Sequence, residues 1–275
     1  MHSAPSLLAA ALYTIAYLAL RRHLATGAGT GGWSGGWPAV AVPCALGALV
    51  HAWVLQRAVF GDAGIHIGVF EAASTVCWAA VLGILIGPLG RTLKDLGLAL
   101  LPLAALAVVL AAIWPASGPL TVHGGPGTRV HVVLSIVAAA LLTLAACQGV
   151  LLALAEARLT RKRPLGPPGV MPALQVRETL LFQTLWAGFF ALSLSLVTGV
   201  VFVDDLLGQH LAHKTVLSIA AWAVFAGLLW GRVRHGWRGR TATRWTLSGF
   251  VLLGLAYFGS KVILELVLER SWHGG

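Results

Sequence analysis

Ten histidines stand in a chain with nine acidic residues and nineteen basic ones. They are His2, His23, His51, His66, His123, His131, His210, His213, His235 and His273. A neutral imidazole is the commonest metal ligand and the usual axial ligand of haem iron. His51 and His131 sit within or at the edge of apolar runs, where an ionisable group is expensive and so a functional candidate. Glu71 is the one carboxylate well inside such a run, and Arg57 or Lys261 would be its partner. Cys44, Cys77 and Cys147 each lie alone among apolar residues. That spacing suits small buried side chains and neither a thiol redox centre nor zinc. No H-E-x-x-H or close Cys/His grouping occurs either.

The elements that must position these residues follow from composition. Of 275 residues, 58% are apolar and 10% charged, against about 25% charged in an average soluble domain. Mean hydropathy is +0.85. So few charges cannot cover a soluble protein, and this excludes a soluble enzyme, a disordered chain and a fibrous repeat. The polar alternation of an outer-membrane barrel is also missing. Eight apolar runs approach the roughly 20 residues that cross a bilayer: 3–20, 39–56, 65–87, 96–114, 130–154, 180–202, 214–230 and 245–267. Backbone groups in a bilayer core must bond within the chain, so the runs are expected as helices. The expected fold is all-α, a polytopic integral membrane protein of about eight transmembrane helices. The first run lacks the basic flank of a cleaved signal peptide and is read as a retained span. No gap is long enough for a soluble domain, so residues 1–275 form one integral-membrane domain.

Fourteen of the nineteen Lys and Arg fall in the odd-numbered gaps, including Arg21, Arg22, Arg161, Lys162, Arg163 and the arginines between Gly231 and Arg244. The positive-inside rule puts those gaps in the cytoplasm and both termini outside. The net charge of +10 is thereby explained by orientation, and no nucleic-acid partner is needed.

This orientation leaves only His23 and His235 on the cytoplasmic side. His51 lies about 18 Å along the second span, in the outer half of a core ~30 Å thick. His131 opens the fifth span, His66 the third, and His213 precedes the seventh. Two or more of these on facing helices could hold a haem near the outer surface. Arg57, Arg129 and Lys214 could meet its propionates.

The C-terminal third carries a more specific pattern. It reads His213-Lys-Thr-Val-Leu-Ser-Ile-Ala-Ala-Trp222, then Leu-Leu-Trp-Gly-Arg-Val-Arg-His-Gly-Trp-Arg-Gly-Arg240, then Leu-Ala-Tyr-Phe-Gly-Ser260. This order resembles the cytochrome c assembly protein family, the haem-handling membrane family of the CcsA, CcmC and HemX types. The resemblance is greatest to its short bacterial inner-membrane branch, the YpjD type. His51 looks like the family's histidine in an early span, Phe70-Glu71 like its Tyr-Glu pair, and His131 like its outward histidine at the start of a middle span. Two features depart from the synthase branches. Their tryptophan-rich segment is replaced by residues 200–214, which hold no Trp, and Leu268 stands where a second outward histidine would be. His213, at the end of the missing segment, is a possible substitute ligand.

The resemblance implies a multi-pass protein of the bacterial inner (cytoplasmic) membrane that binds haem b. His51 and His131 would be the candidate axial ligands and His213 a further cofactor-binding residue. Its role would be to hold, chaperone or pass haem near the outer surface in cytochrome c biogenesis or haem supply. It is not expected to be an enzyme. The expected partners are haem, the lipid bilayer, and another membrane protein or an apocytochrome. Two rivals stand beside this. One is an ion-export component in which Glu71 and the histidines bind an ion, with Pro43 and Pro102 as candidate breaks in the spans. The other is an accessory subunit that keeps the fold without haem.

Overall fold

The computed structural model describes residues 3–25, 37–61, 64–65, 68–86, 96–115, 125–160, 174–202 and 212–259. Each of the eight apolar runs corresponds to one helix. These are α1 (Ser3–Ala25), α2 (Trp37–Val59), α3 (Val69–Ile86), α4 (Gly97–Ile113), α5 (Pro126–Thr160), α6 (Leu174–Phe202), α7 (Ala212–His235) and α8 (Gly239–Gly254). A π turn, Leu255–Gly259, continues α8. Six of them are long and apolar enough to cross a membrane, and α4 is a shorter apolar helix. The chain is a polytopic membrane protein.

Several edges differ from the sequence reading, each for a local reason. The third span starts at Val69 because Phe60–Gly61 and Gly64–Ile65 pair as a minimal antiparallel ladder before it. Helices α5 and α6 outrun the apolar runs, at 35 and 29 residues. At 1.5 Å per residue they are about 52 and 43 Å long, more than a bilayer core requires. Near these ends Glu156 lies against Gly239, Glu178 pairs with Arg232 and Arg177 is buried, while Arg129 and Arg158 are exposed. Pro43 and Pro102 lie inside continuous helices, so neither marks an unwound span.

The packing is that of a protein dissolved in lipid. Large apolar side chains such as Leu7, Ile15, Leu49, Leu106, Phe190 and Val197 point outward. Small and polar ones (Ala139, Ala145, Ser74, Thr143, Gln148, Thr246) are buried between helices. Lipid tails give no hydrophobic drive for helix association, so close backbone approach and interhelical hydrogen bonds must supply it.

Two packing sets share one helix. Ala140, Leu144 and Cys147 of α5 join a cluster with α1, α2, α3 and α4. Ala138, Leu142, Ala145 and Leu152 of the same helix join a cluster with α6, α7 and α8. Both series step by three, four or seven residues, so each is a stripe along one face of α5.

Candidate functional site

His51 is fully buried in the first packing set. Its Nδ1 lies 3.1 Å from the Tyr13 hydroxyl on α1, and its Nε2 lies 2.7 Å from Ser74 Oγ on α3. Both partners are themselves buried. A neutral imidazole has one N–H and one lone pair, and here each is matched by a hydroxyl. The triad ties three helices together where an unsatisfied polar group would be costly. Gly47, one turn before His51, admits the tyrosine: a Cβ there would stand 3.1 Å from the Tyr13 ring.

His131 is arranged differently. It sits in the second turn of α5, half-buried, and its Nδ1 lies 2.8 Å from the backbone carbonyl of Ser195 on α6. A carbonyl only accepts, so Nδ1 carries the proton and Nε2 keeps the lone pair. Reaching a helix carbonyl from a neighbouring helix requires open space one turn further on. Gly199 provides it: a Cβ there would lie 3.0 Å from His131 Cε1. Below the ring, the Ser135 hydroxyl donates to His131 O at 2.8 Å and meets Ser195 Oγ at 2.7 Å.

Two other sequence candidates fall at the edge of what is described. His213 lies in the first turn of α7, and its side chain is outside the described residues. His66 lies outside them altogether, as does Lys261. Glu71 is buried in the first turn of α3. Arg57 is exposed, with its guanidinium 4.4 Å from the Trp53 ring centre. His23, expected in a basic gap, is instead buried in the last turn of α1. Among the described residues no group of three or more His, Cys, Asp or Glu could hold a metal ion. His51 and His131 have separate sets of hydrogen-bonding partners.

The arginine-rich stretch 231–244 fills the gap between the seventh and eighth apolar runs. It is a tight helical hairpin in which α7 stops at His235 and α8 starts at Gly239. Gly236, at φ +65°, turns the chain, and its N–H bonds the Arg232 carbonyl at 3.1 Å. Arg232 Nη1 then donates at 3.0 Å to both Glu178 Oε1 on α6 and the Trp237 carbonyl. The Trp237 ring covers Gly231, where a side chain would collide with it, and packs 5.1 Å from Trp245. Arg177, three residues before the apolar run 180–202, is buried on α6.

These features lie on a chain whose residues 39–268 match the profile of a family described as "Cytochrome C assembly protein". The chain belongs to the cytochrome c assembly protein family. One relative is the "Inner membrane protein YpjD" of Escherichia coli (strain K12), 33% identical over 237 residues, spanning 83% of this chain and 88% of that protein. Others are the "Cytochrome c biogenesis protein CcsA" of Synechococcus sp. (strain CC9311), 25% identical over 37% of this chain and 34% of that protein, and that of Microcystis aeruginosa, 26% identical over 44% and 37%. No solved structure matches. Membership in the cytochrome c assembly protein family supports a role in cytochrome c biogenesis. The matched span begins just after the start of α2 and takes in both His51 and His131.

The residues that sequence reasoning missed are the partners: Tyr13, Ser74, Ser135, Ser195 and Gly199. Each is an ordinary residue in an apolar run, and only the helix packing reveals what it touches.

Proposed function

We propose that this chain is a haem-binding protein of the bacterial inner membrane, with Nε2 of His131 as the iron ligand. It would hold or pass haem near one membrane surface in cytochrome c biogenesis or haem supply. The observation that carries this is the Nδ1–Ser195 carbonyl bond at 2.8 Å. A histidine ligand commonly donates its other ring N–H to a carbonyl or carboxylate, which fixes the tautomer and ring plane. His131 has that arrangement, at a helix end where the ring is only half covered. Bound haem b would supply the iron centre. The chain's own contribution is to orient the imidazole and shield it with α5 and α6. Arg129, exposed two residues before His131, and Lys214, exposed at the start of α7, would meet the haem carboxylates. His213 in the first turn of α7 is the proposed supplementary ligand.

His51 stands second in this reading. Both of its nitrogens are engaged, so ligation there would require the Tyr13 or Ser74 bond to open. No thioether-forming chemistry is assigned to the chain. The buried Tyr13–His51–Ser74 triad favours one alternative, an accessory subunit that keeps the fold and uses His51 as a helix clamp.

The test is the visible spectrum of the detergent-purified protein, oxidised and reduced, with haem quantified. A stoichiometric signal is expected, lost or shifted in His131→Ala. A colourless protein after expression with excess haem would overturn the proposal in favour of the accessory subunit.

A further inference from the structure

Between Gly231 and Arg244 the chain carries five cations, and all five are arginine. Orientation in a membrane needs only positive charge, for which lysine serves as well. Arginine adds a planar fork that meets phosphate oxygens two at a time. Arg232 is engaged inside the fold, on Glu178 and the Trp237 carbonyl. The Glu156 carboxylate lies against Gly239, beside Arg240. Arg234, Arg238, Arg240 and Arg244 are all exposed.

The hairpin gathers these arginines at one end of one surface. Gly227 of α7 faces the Trp245 ring and Gly249 of α8 the Phe225 ring, where a Cβ would stand 3.1 and 2.8 Å away, so the two helices lie side by side. Helix α7 is long and apolar enough to cross a membrane. Its outward side chains include Val216, Ile219, Trp230 and Val233, the last two 68% and 74% exposed, and Arg234 follows them. On α8, Arg240, Arg244, Ser248 and Val251 are exposed at steps of four, four and three, which is one face of a helix. Each outward face runs from apolar side chains to arginine at the turn. A tryptophan one turn from the cations suits the level where head groups meet acyl chains. We infer that the outward face of this hairpin binds the phosphate of an anionic phospholipid, whose acyl chains lie along Trp230, Val233 and Val251. The partner is a lipid because the exposed surface next to the guanidinium groups is apolar, which a soluble phosphate or a nucleic acid would leave uncovered. This surface shares no residue with the haem reading above.

The experiment strips lipid from the full-length protein in a neutral detergent. The protein is then titrated with phosphatidylglycerol or phosphatidylcholine, and bound lipid is counted by native mass spectrometry. The hairpin variant is Arg234→Gln/Arg238→Gln/Arg244→Gln. A control that loses the same charge in another basic gap is Arg161→Gln/Lys162→Gln/Arg163→Gln. Wild type should prefer phosphatidylglycerol. The hairpin variant should bind it on the order of a hundredfold more weakly at low salt, while the control keeps wild-type affinity. Equal affinity of wild type for the two lipids overturns the inference, as does an unchanged hairpin variant or an equal loss in the control. Displacement of the lipid by millimolar inorganic phosphate overturns the lipid assignment. So does an oligonucleotide that binds with the same arginine dependence where phosphatidylglycerol does not. Should the hairpin variant fail to insert, the single changes Arg234→Gln and Arg244→Gln should each weaken binding about fivefold. Unchanged affinity in both would then overturn the inference.

Discussion

The hydroxyl of Ser74 stands 2.7 Å from Nε2 of His51, and the other nitrogen of the same imidazole, Nδ1, is taken by the Tyr13 hydroxyl at 3.1 Å. Removing one hydroxyl leaves a buried ring nitrogen without its partner, at a cost of about 1–3 kcal/mol. Ser74→Ala and Tyr13→Phe should each lower stability by that amount in denaturant unfolding of the detergent-solubilised protein. The two changes share one imidazole, so the double variant should depart from additivity. Unchanged midpoints in both would show that the triad does not hold α1, α2 and α3 together.

Gly199 sits under the His131 ring, and a methyl group there would press on Cε1 at 3.0 Å. Gly199→Ala should tilt the ring away from the Ser195 carbonyl. Haemin affinity should fall about tenfold, in the range seen when an outer-shell partner of a ligating histidine is lost. The thermal midpoint should move little, since Ala favours the helix. A titration equal to wild type would detach the ring's seating from ligand binding.

Arg232 closes the α7–α8 hairpin through Glu178 and the Trp237 carbonyl, and its guanidinium also lies 4.4 Å from the Phe182 ring centre. A lysine cannot form the planar fork or stack on the ring. Arg232→Lys should therefore destabilise the protein by about 1–3 kcal/mol. Gly236→Ala, at φ +65°, should cost about 1–2 kcal/mol for the left-handed backbone alone. Both are read by thermal unfolding, and the hairpin account fails if Arg232→Lys matches wild type.

By the positive-inside rule we propose that the basic gaps face the cytoplasm. Cys44, Cys77 and Cys147 are all buried, so background labelling is low. In intact cells, a membrane-impermeant maleimide should label Arg129→Cys. Arg240→Cys should react only after permeabilisation. The reverse pattern would invert the proposed orientation.

All eight helices of the described residues were legible in the sequence because lipid imposes one simple demand on each span, a long apolar run. Helix ends were less so. Residues 231–244 read as a loop because five arginines interrupt the hydropathy. Yet Gly236 and Arg232 cap α7 within a single turn. His131 was legible as a candidate because a polar ring opening an apolar span is conspicuous. Its orientation was not, since Ser195 and Gly199 are 64 and 68 positions away and owe their roles to packing. His51 shows the opposite limit: an intramembrane histidine reads as a ligand, while Tyr13 and Ser74 give it a second employment as a clamp.

Helix α5 is a rod with a histidine near one tip and a carboxylate, Glu156, beside Gly239 at the other. The two lie about 38 Å apart along its axis at 1.5 Å per residue. Because its flanks are wedged into both packing sets, it cannot pivot or slide for one without displacing the other. The helix that carries His131 is therefore held from both sides, and one backbone sets its register against α1–α4 and against α6–α8.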